Sequence, residues 1–360
     1  MVTNAYSYAL MLYRDDGSDL GQVPASVDWE PAREWTRFLA VRQGQLAAGA
    51  VAAATRVEPV WHAKLGEPFL DGFRVSVAAN GAGCVSSEFP SAYFRSLAGE
   101  ATSKLVEQGT LKAGERLVFL AAAFPREEGA PAPPASRFLA EEVAAAVPLQ
   151  ESALAAFVEA SASAGELAEH DLPAFVPERV LAEATELARR AGAKETGGIL
   201  VGRLHRDPSL PEVFVEVTAQ IHAREAVADL TSLSFTAETW TAVQAALDLR
   251  RRDELMLGWW HSHPVREWCK ECAPEKQRVC RMASDFFSAH DRALHRAVFP
   301  RAYSVALVVN DLPAGEATFS VFGWRQGQLV SRGFHRLHAE PGANAVAPAA
   351  RTAAGGGDAA

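Results

Sequence analysis

Apolar and polar positions follow regular periods in one half of this chain and weaker ones in the other. From Pro177 onward the pattern is easily read. Val180, Leu181, Ala184 and Leu187 recur at helical spacing, which predicts a helix over 177–191 with Pro177 in the first turn and Gly192 as the stop. Strands are expected over 197–201 and 213–219, around a turn at Asp207-Pro208. A second helix is expected over 236–249, with Thr236 as N-cap and Glu238 in the first turn. The apolar runs 255–260 and 303–309 read as buried strands, and 317–324 with 328–334 as a hairpin around Arg325-Gln326-Gly327. This order predicts an α/β sandwich, a mixed sheet flanked by helices, over 171–338.

The first part of the chain is harder to read. Residues 73–77 and 116–120 have strand character, and 92–108 reads as a helix closed by Gly109. These elements predict a separate α/β domain over 1–125, of unassigned fold. Glu127 to Ala135 is rich in Pro and Ala and reads as a stiff spacer. Arg137 to Ala164 is Ala-rich with helical periodicity, so 126–170 is expected to be a linker with a connecting helix. The Ala/Gly/Pro-rich tail, 339–360, is expected to be disordered.

Composition narrows the function. Of 360 residues, 49% are hydrophobic, enough for a sizeable core, and the net charge is −9, which argues against a nucleic-acid partner. Arg250-Arg251-Arg252 is too short for a basic patch and reads as a solvated helix end. No apolar run reaches the length of a membrane span, and residues 1–12 lack the features of a signal peptide. A cytoplasmic protein is expected, with no membrane partner. Of four cysteines, Cys269, Cys272 and Cys280 cluster, a pattern that fits metal binding better than disulfides, whereas Cys84 reads as a buried small hydrophobe.

The candidate chemistry lies after the run 255–260. His261 and His263, two apart at a strand end, point the same way and can reach one metal ion. Asp291 is a candidate third ligand. Ser288, three residues earlier, can face the same pocket. Glu195 stands just before the strand beginning at Gly197. Two His and one carboxylate leave a fourth zinc position open, as in catalytic sites. Zinc lowers the pKa of its water to about 7, and a neighbouring carboxylate such as Glu195 can move that proton. A hydroxyl such as Ser288 can donate to an oxyanion, a contact worth on the order of 100- to 1000-fold in rate.

Glu195, then His261-Ser262-His263-Pro264, then Ser288-x-x-Asp291 resembles the JAB/MPN (JAMM) zinc metalloprotease family, including its bacterial deubiquitinase-like isopeptidases. Lys194 to Gly202 looks like that family's first strand, and Gly258 to Pro264 like its ligand strand. The resemblance implies His261, His263 and Asp291 as ligands of a catalytic zinc, Glu195 as general acid/base and Ser288 as oxyanion support. It also implies hydrolysis of isopeptide or peptide bonds after a ubiquitin-like protein. The pathway expected is a bacterial ubiquitin-like conjugation pathway, with antiviral defence as one setting. The 1–125 domain is a candidate for binding substrate, for docking a conjugating or activating enzyme, or for gating the site. Two alternatives stay open: trimming of a sulfur-carrier precursor, and a non-catalytic scaffold.

The chain departs from the family between His263 and Ser288, 25 positions apart where a short gap is usual. The excess, 265–283, carries Cys269, Cys272 and Cys280. Two thiolates across a tight turn face one ion, so a second, structural zinc is expected there, with His290 or His295 as its fourth ligand. Trp259 and Trp260 read as core and pocket wall. His205 and His222 read as loop or strand-end residues.

Overall fold

The computed structural model describes residues 2–49, 55–66, 68–79, 83–126, 147–228, 233–250, 252–273, 276, 286–312 and 316–338. The expected spacer 127–135 and the tail 339–360 lie outside them.

The C-terminal half is built on a ten-stranded mixed sheet. Its order is Gln328–Arg332, Ala317–Arg325, Val305–Asp311, Leu255–His263, Gly197–Arg206, Val213–His222, Ala174–Pro177, Phe334–Leu337 and Ser161–Ala164. Leu149–Glu151 adds to Gly197–Arg206 off this path. Leu255–His263 runs parallel to Val305–Asp311 and antiparallel to Gly197–Arg206, so it is covered on both edges. That position explains its unbroken buried run from Leu257 to His263. Gly258 is needed there, because a Cβ would lie 1.7 Å from the Val305 carbonyl oxygen. The last two strands stand near opposite ends of the order but are joined by Gly333 alone, so the sheet curls back on itself.

The predicted elements of this half form, mostly extended by a few residues. Pro177 caps the helix Glu178–Ala191, whose Val180, Leu181, Ala184 and Ala188 are buried, and Gly192 ends it at φ +66°. Thr236 caps Ala237–Arg250, its Oγ1 accepting from Thr239 N at 3.3 Å. Arg250 does not simply end in solvent: it pairs with Glu254 at 2.5 Å. His205 is buried within its strand, between Ser152 Oγ at 3.0 Å and Glu216 Oε2 at 3.1 Å.

The expected connecting helix over 137–164 does not form in its described part. Only Leu154–Glu159 is helical. Leu149–Glu151 pairs with Leu204 to Arg206, and Ser161–Ala164 pairs with Phe334 to Leu337. Pro148 bars helix from the residue before it, and sheet pairing outweighs the helical propensity of alanine. The sheet therefore recruits strands from before position 171.

The N-terminal half holds a four-stranded sheet (Val2–Asn4, Thr55–Trp61, Leu70–Ala78, Cys84–Pro90) and a three-stranded one (Asp19–Ala25, Tyr6–Arg14, Leu117–Pro125). Its helices are Glu30–Arg42 and Arg95–Glu107, the latter preceded by a 3-10 turn at Ser91–Phe94. Trp29, Phe73, Phe89, Tyr93 and Phe94 make an aromatic cluster between them. Cys84 is exposed, contrary to expectation, because it opens an edge strand on the outward side of the alternation. The helix Glu30–Arg42 docks this half on the other: Arg42 pairs with Glu212 at 2.5 Å, Arg301 with Glu34 at 3.3 Å, and Arg206 Nη2 donates to the Val41 carbonyl. One apolar core runs through both halves. Among the described residues no helix is long and apolar enough to cross a membrane.

Candidate metal centre

The site begins with the strand alternation. In Leu255–His263 the side chains of Trp259, His261 and His263 share one face. His261 Nε2 lies 3.1 Å from His263 Nε2 and 3.6 Å from Asp291 Oδ2. The ligating atoms of His261, His263 and Asp291 all lie within 4.8 Å of one another, and all three residues are buried. Ligands at about 2.0–2.1 Å from a tetrahedral ion stand about 3.4 Å apart, so these spacings fit a zinc-sized site.

Asp291 arrives from the helix Ala289–Val298. Ser288 is its N-cap, and the pair form a reciprocal capping box: Ser288 Oγ accepts from Asp291 N at 3.1 Å, and Asp291 Oδ2 accepts from Ser288 N at 2.8 Å. The Ser-x-x-Asp spacing therefore starts the helix and also aims the carboxylate at His261. His290, next to Asp291, is exposed.

Glu195 is placed by strand pairing. Thr196 N donates to Ser262 Oγ at 3.0 Å, Ser262 N donates to Thr196 O at 2.8 Å, and Gly197 stands opposite His261. A Cβ at Gly197 would meet the Trp260 carbonyl oxygen at 2.3 Å, so glycine lets the two strands close here. Burial, then the nearby Asp291 charge, pushes the Glu195 carboxyl up to about 8. Burial holds both imidazoles neutral, the ligating form: His263 falls to about 3, and His261 also falls although Asp291 opposes it. Two neutral imidazoles beside two buried carboxylates suit a divalent cation, which would relieve the repulsion between the acids.

Several residues that position the site were not singled out from the sequence. His263 Nδ1 lies 3.1 Å from Asn310 Oδ1, whose amide nitrogen lies 3.5 Å from Thr318 Oγ1 and Ser320 Oγ. Donation from Nδ1 to that amide leaves Nε2 as the ligand atom. His261 Nδ1 has no such hydrogen bond. Its ring is stacked on Trp259 (centroids 4.7 Å, planes 16° apart) and that of His263 on Phe286 (4.2 Å, 16°). The available clue was Asn310 itself, a buried amide at the end of the apolar strand Val305–Asp311 and paired in register with His263.

The expected cysteine site has a different status. Cys269 is buried at the end of the short helix Val265–Trp268, and Cys272 N donates to the Cys269 carbonyl at 2.9 Å. Among the described residues, Cys269, Cys272 and His290 do not form a metal-competent group. His295 is buried among Phe287, Phe299 and Trp324, with Nδ1 accepting from Trp259 Nε1 at 3.2 Å. Cys280 lies outside the described residues. His222, at a strand end, meets Thr196 Oγ1 at 3.0 Å.

Fold and site together define an α/β domain in which a central strand and a capped helix bring two imidazoles and a carboxylate to one point. Residues 177–267 match the family described as prokaryotic homologs of the JAB domain, and the chain carries a JAB/MPN-family domain. Domains of this family are often hydrolases. The match takes in Glu195, His261 and His263 and ends before Ser288 and Asp291. No match was found among curated proteins. Among solved structures the chain is similar to the solution structure of protein DSY2949 from Desulfitobacterium hafniense, at 19% identity over 44% of this chain and 89% of that one, with a TM-score of 0.29.

Proposed function

We propose that this protein is a zinc-dependent isopeptidase or peptidase that cuts after the C-terminal glycine of a ubiquitin-like protein. The observation that carries this reading is the convergence of His261, His263 and Asp291 on one point beside the buried Glu195. A zinc ion held by those three side chains would supply a Lewis acid for the scissile carbonyl and make water nucleophilic near neutral pH. Glu195 takes the proton as water attacks the carbonyl carbon and passes it to the departing amine as the C–N bond breaks. In the metal-free protein burial and the Asp291 charge raise the Glu195 carboxyl, and a cation at the triad would bring it back down toward neutrality, where a carboxyl can accept and then release a proton. Ser288 uses an oxygen lone pair for Asp291 N, which leaves its hydroxyl hydrogen to donate to the oxyanion.

The test is cleavage of a ubiquitin-like protein fused through its C-terminal glycine to a reporter, with and without a zinc chelator. Chelator-sensitive cleavage is expected. Glu195→Ala should retain zinc and lose turnover by on the order of 100- to 10,000-fold. Loss of the metal in that variant would refute the role given to Glu195, and zinc-loaded protein inert toward every such fusion would refute the substrate class.

A further inference from the structure

A second cleft lies where the two halves meet, beside the helix that carries Asp291. It has a volume of about 510 Å³ and is lined by Tyr93, Arg95 and Ser96 from the N-terminal half, and by Arg292, Arg296 and residues 327–331 from the C-terminal half. That volume lies within the usual range for ligand sites, about 300–1,000 Å³. Among the described residues no carboxylate lines it, although the chain as a whole carries a net charge of −9. Among the described residues no acidic side chain pairs with Arg95, Arg292 or Arg296 within salt-bridge distance.

A second, independent feature says what shape of ligand fits. Among the described residues Gln328–Arg332 pairs on one side only, with Ala317–Arg325, which makes it an edge strand. The hairpin turns through Gln326 at φ +48° and Gly327 at φ +68°, a two-residue turn that makes Arg325 and Gln328 a hydrogen-bonded pair. The antiparallel alternation then turns the backbone N–H and C=O of Leu329 and Ser331 outward. One of these groups is used: the Leu329 carbonyl accepts from Arg292 Nη1 at 2.9 Å. Arg292 thus stands at the strand edge, and Arg296 follows one helical turn later, on the helix that supplies Asp291.

We propose that this cleft binds an extended acidic peptide segment. The segment adds beside residues 329–331 through the outward main-chain groups that Arg292 leaves open, and its carboxylates meet Arg95 and Arg296. Strand addition supplies the backbone pairing and the arginines select acidic side chains. The outward N–H and C=O groups of the strand match a peptide main chain, which a nucleic-acid backbone does not offer. The inference does not depend on the metal site being active.

The test is fluorescence anisotropy on the intact chain with a labelled Glu/Ser octapeptide as probe, with a Lys/Ser octapeptide, the Glu/Ser peptide N-methylated at alternate residues, and a labelled single-stranded DNA as competing probes. The acidic peptide should bind, and more weakly as salt is raised. The double variant Arg95→Glu, Arg296→Glu changes two exposed side chains and should weaken binding by about tenfold or more, since tenfold corresponds to only about 1.4 kcal/mol. N-methylation should weaken it by a similar factor. Binding unaffected by charge reversal, absence of acidic-peptide binding, or DNA binding tighter than the peptide would each overturn the proposal. Indifference to N-methylation would overturn its strand-addition half.

Discussion

The two halves share one apolar core but bury different polar groups. In the N-terminal half the buried charged residues satisfy one another: Glu34 pairs with Arg37 at 2.9 Å. In the C-terminal half Glu195, His261, His263 and Asp291 are buried together with two acids side by side and one imidazole nitrogen unpaired. Burying such groups without a partner costs stability. Polar burial that closes on itself is structural, whereas polar burial that leaves a cation's place marks a site.

The sharpest way to break this contrast is a pair of variants. His263→Ala should abolish both metal binding and turnover, seen as loss of zinc by elemental analysis. Phe73→Ala, in the middle of the N-terminal aromatic cluster, should cost about 3–5 kcal/mol of stability while the metal content of the folded protein stays unchanged. Full zinc in His263→Ala would mean that the triad is not the metal site. Zinc loss in folded Phe73→Ala would mean that the halves are not separable in this way.

A smaller effect separates the two roles of Ser288. Glycine at an N-cap costs only a few tenths of a kcal/mol relative to serine. Ser288→Gly should therefore leave thermal stability nearly intact while lowering the rate on the order of 100-fold through loss of the hydroxyl donor. A normal rate in this variant would leave Ser288 as a cap alone. Asn310→Ala should act more weakly still, reducing metal affinity by about 10- to 100-fold, measured by competition with a chelator. Unchanged affinity would show that ring stacking on Phe286 suffices to orient His263.

How much of this was legible follows from the same contrast. Ligands at i and i+2 on a strand, and an acid three residues after a serine, are local patterns, so His261, His263, Ser288 and Asp291 could be found in the sequence. Asn310 reaches His263 only because two parallel strands align across 47 positions, and Phe286, which follows the insertion, reaches it only across 23 positions of chain. Neither relation is written locally. Alanine-rich 137–164 misled for a related reason: its described strands exist only as partners of residues far along the chain. The N-terminal strands were partly visible, but two small sheets meeting at an aromatic cluster leave no periodic signature.

The smallest effect concerns protons. In metal-free protein the Glu195 carboxyl titrates near 8, above its ordinary value of 4.5. Between those values the native state keeps a proton that the unfolded chain releases, so stability should fall as pH rises through that window and level off above it. His261, His263 and His295 are depressed by burial. Their contribution has the opposite sign: it is fully present above about 6.5 and lost as pH falls. The two slopes overlap below 6.5, so the clean interval is from about 6.5 to 8. Glu195→Gln removes only the carboxyl. With chelator present, the difference in melting temperature between wild type and this variant should widen across that interval in the variant's favour, by a few degrees. Zinc should abolish the difference in slope, because a cation at the triad favours the ionised carboxylate. A pH-independent difference in the metal-free protein would mean that Glu195 is already ionised in the empty site, and that its readiness to carry a proton comes from the metal and not from burial.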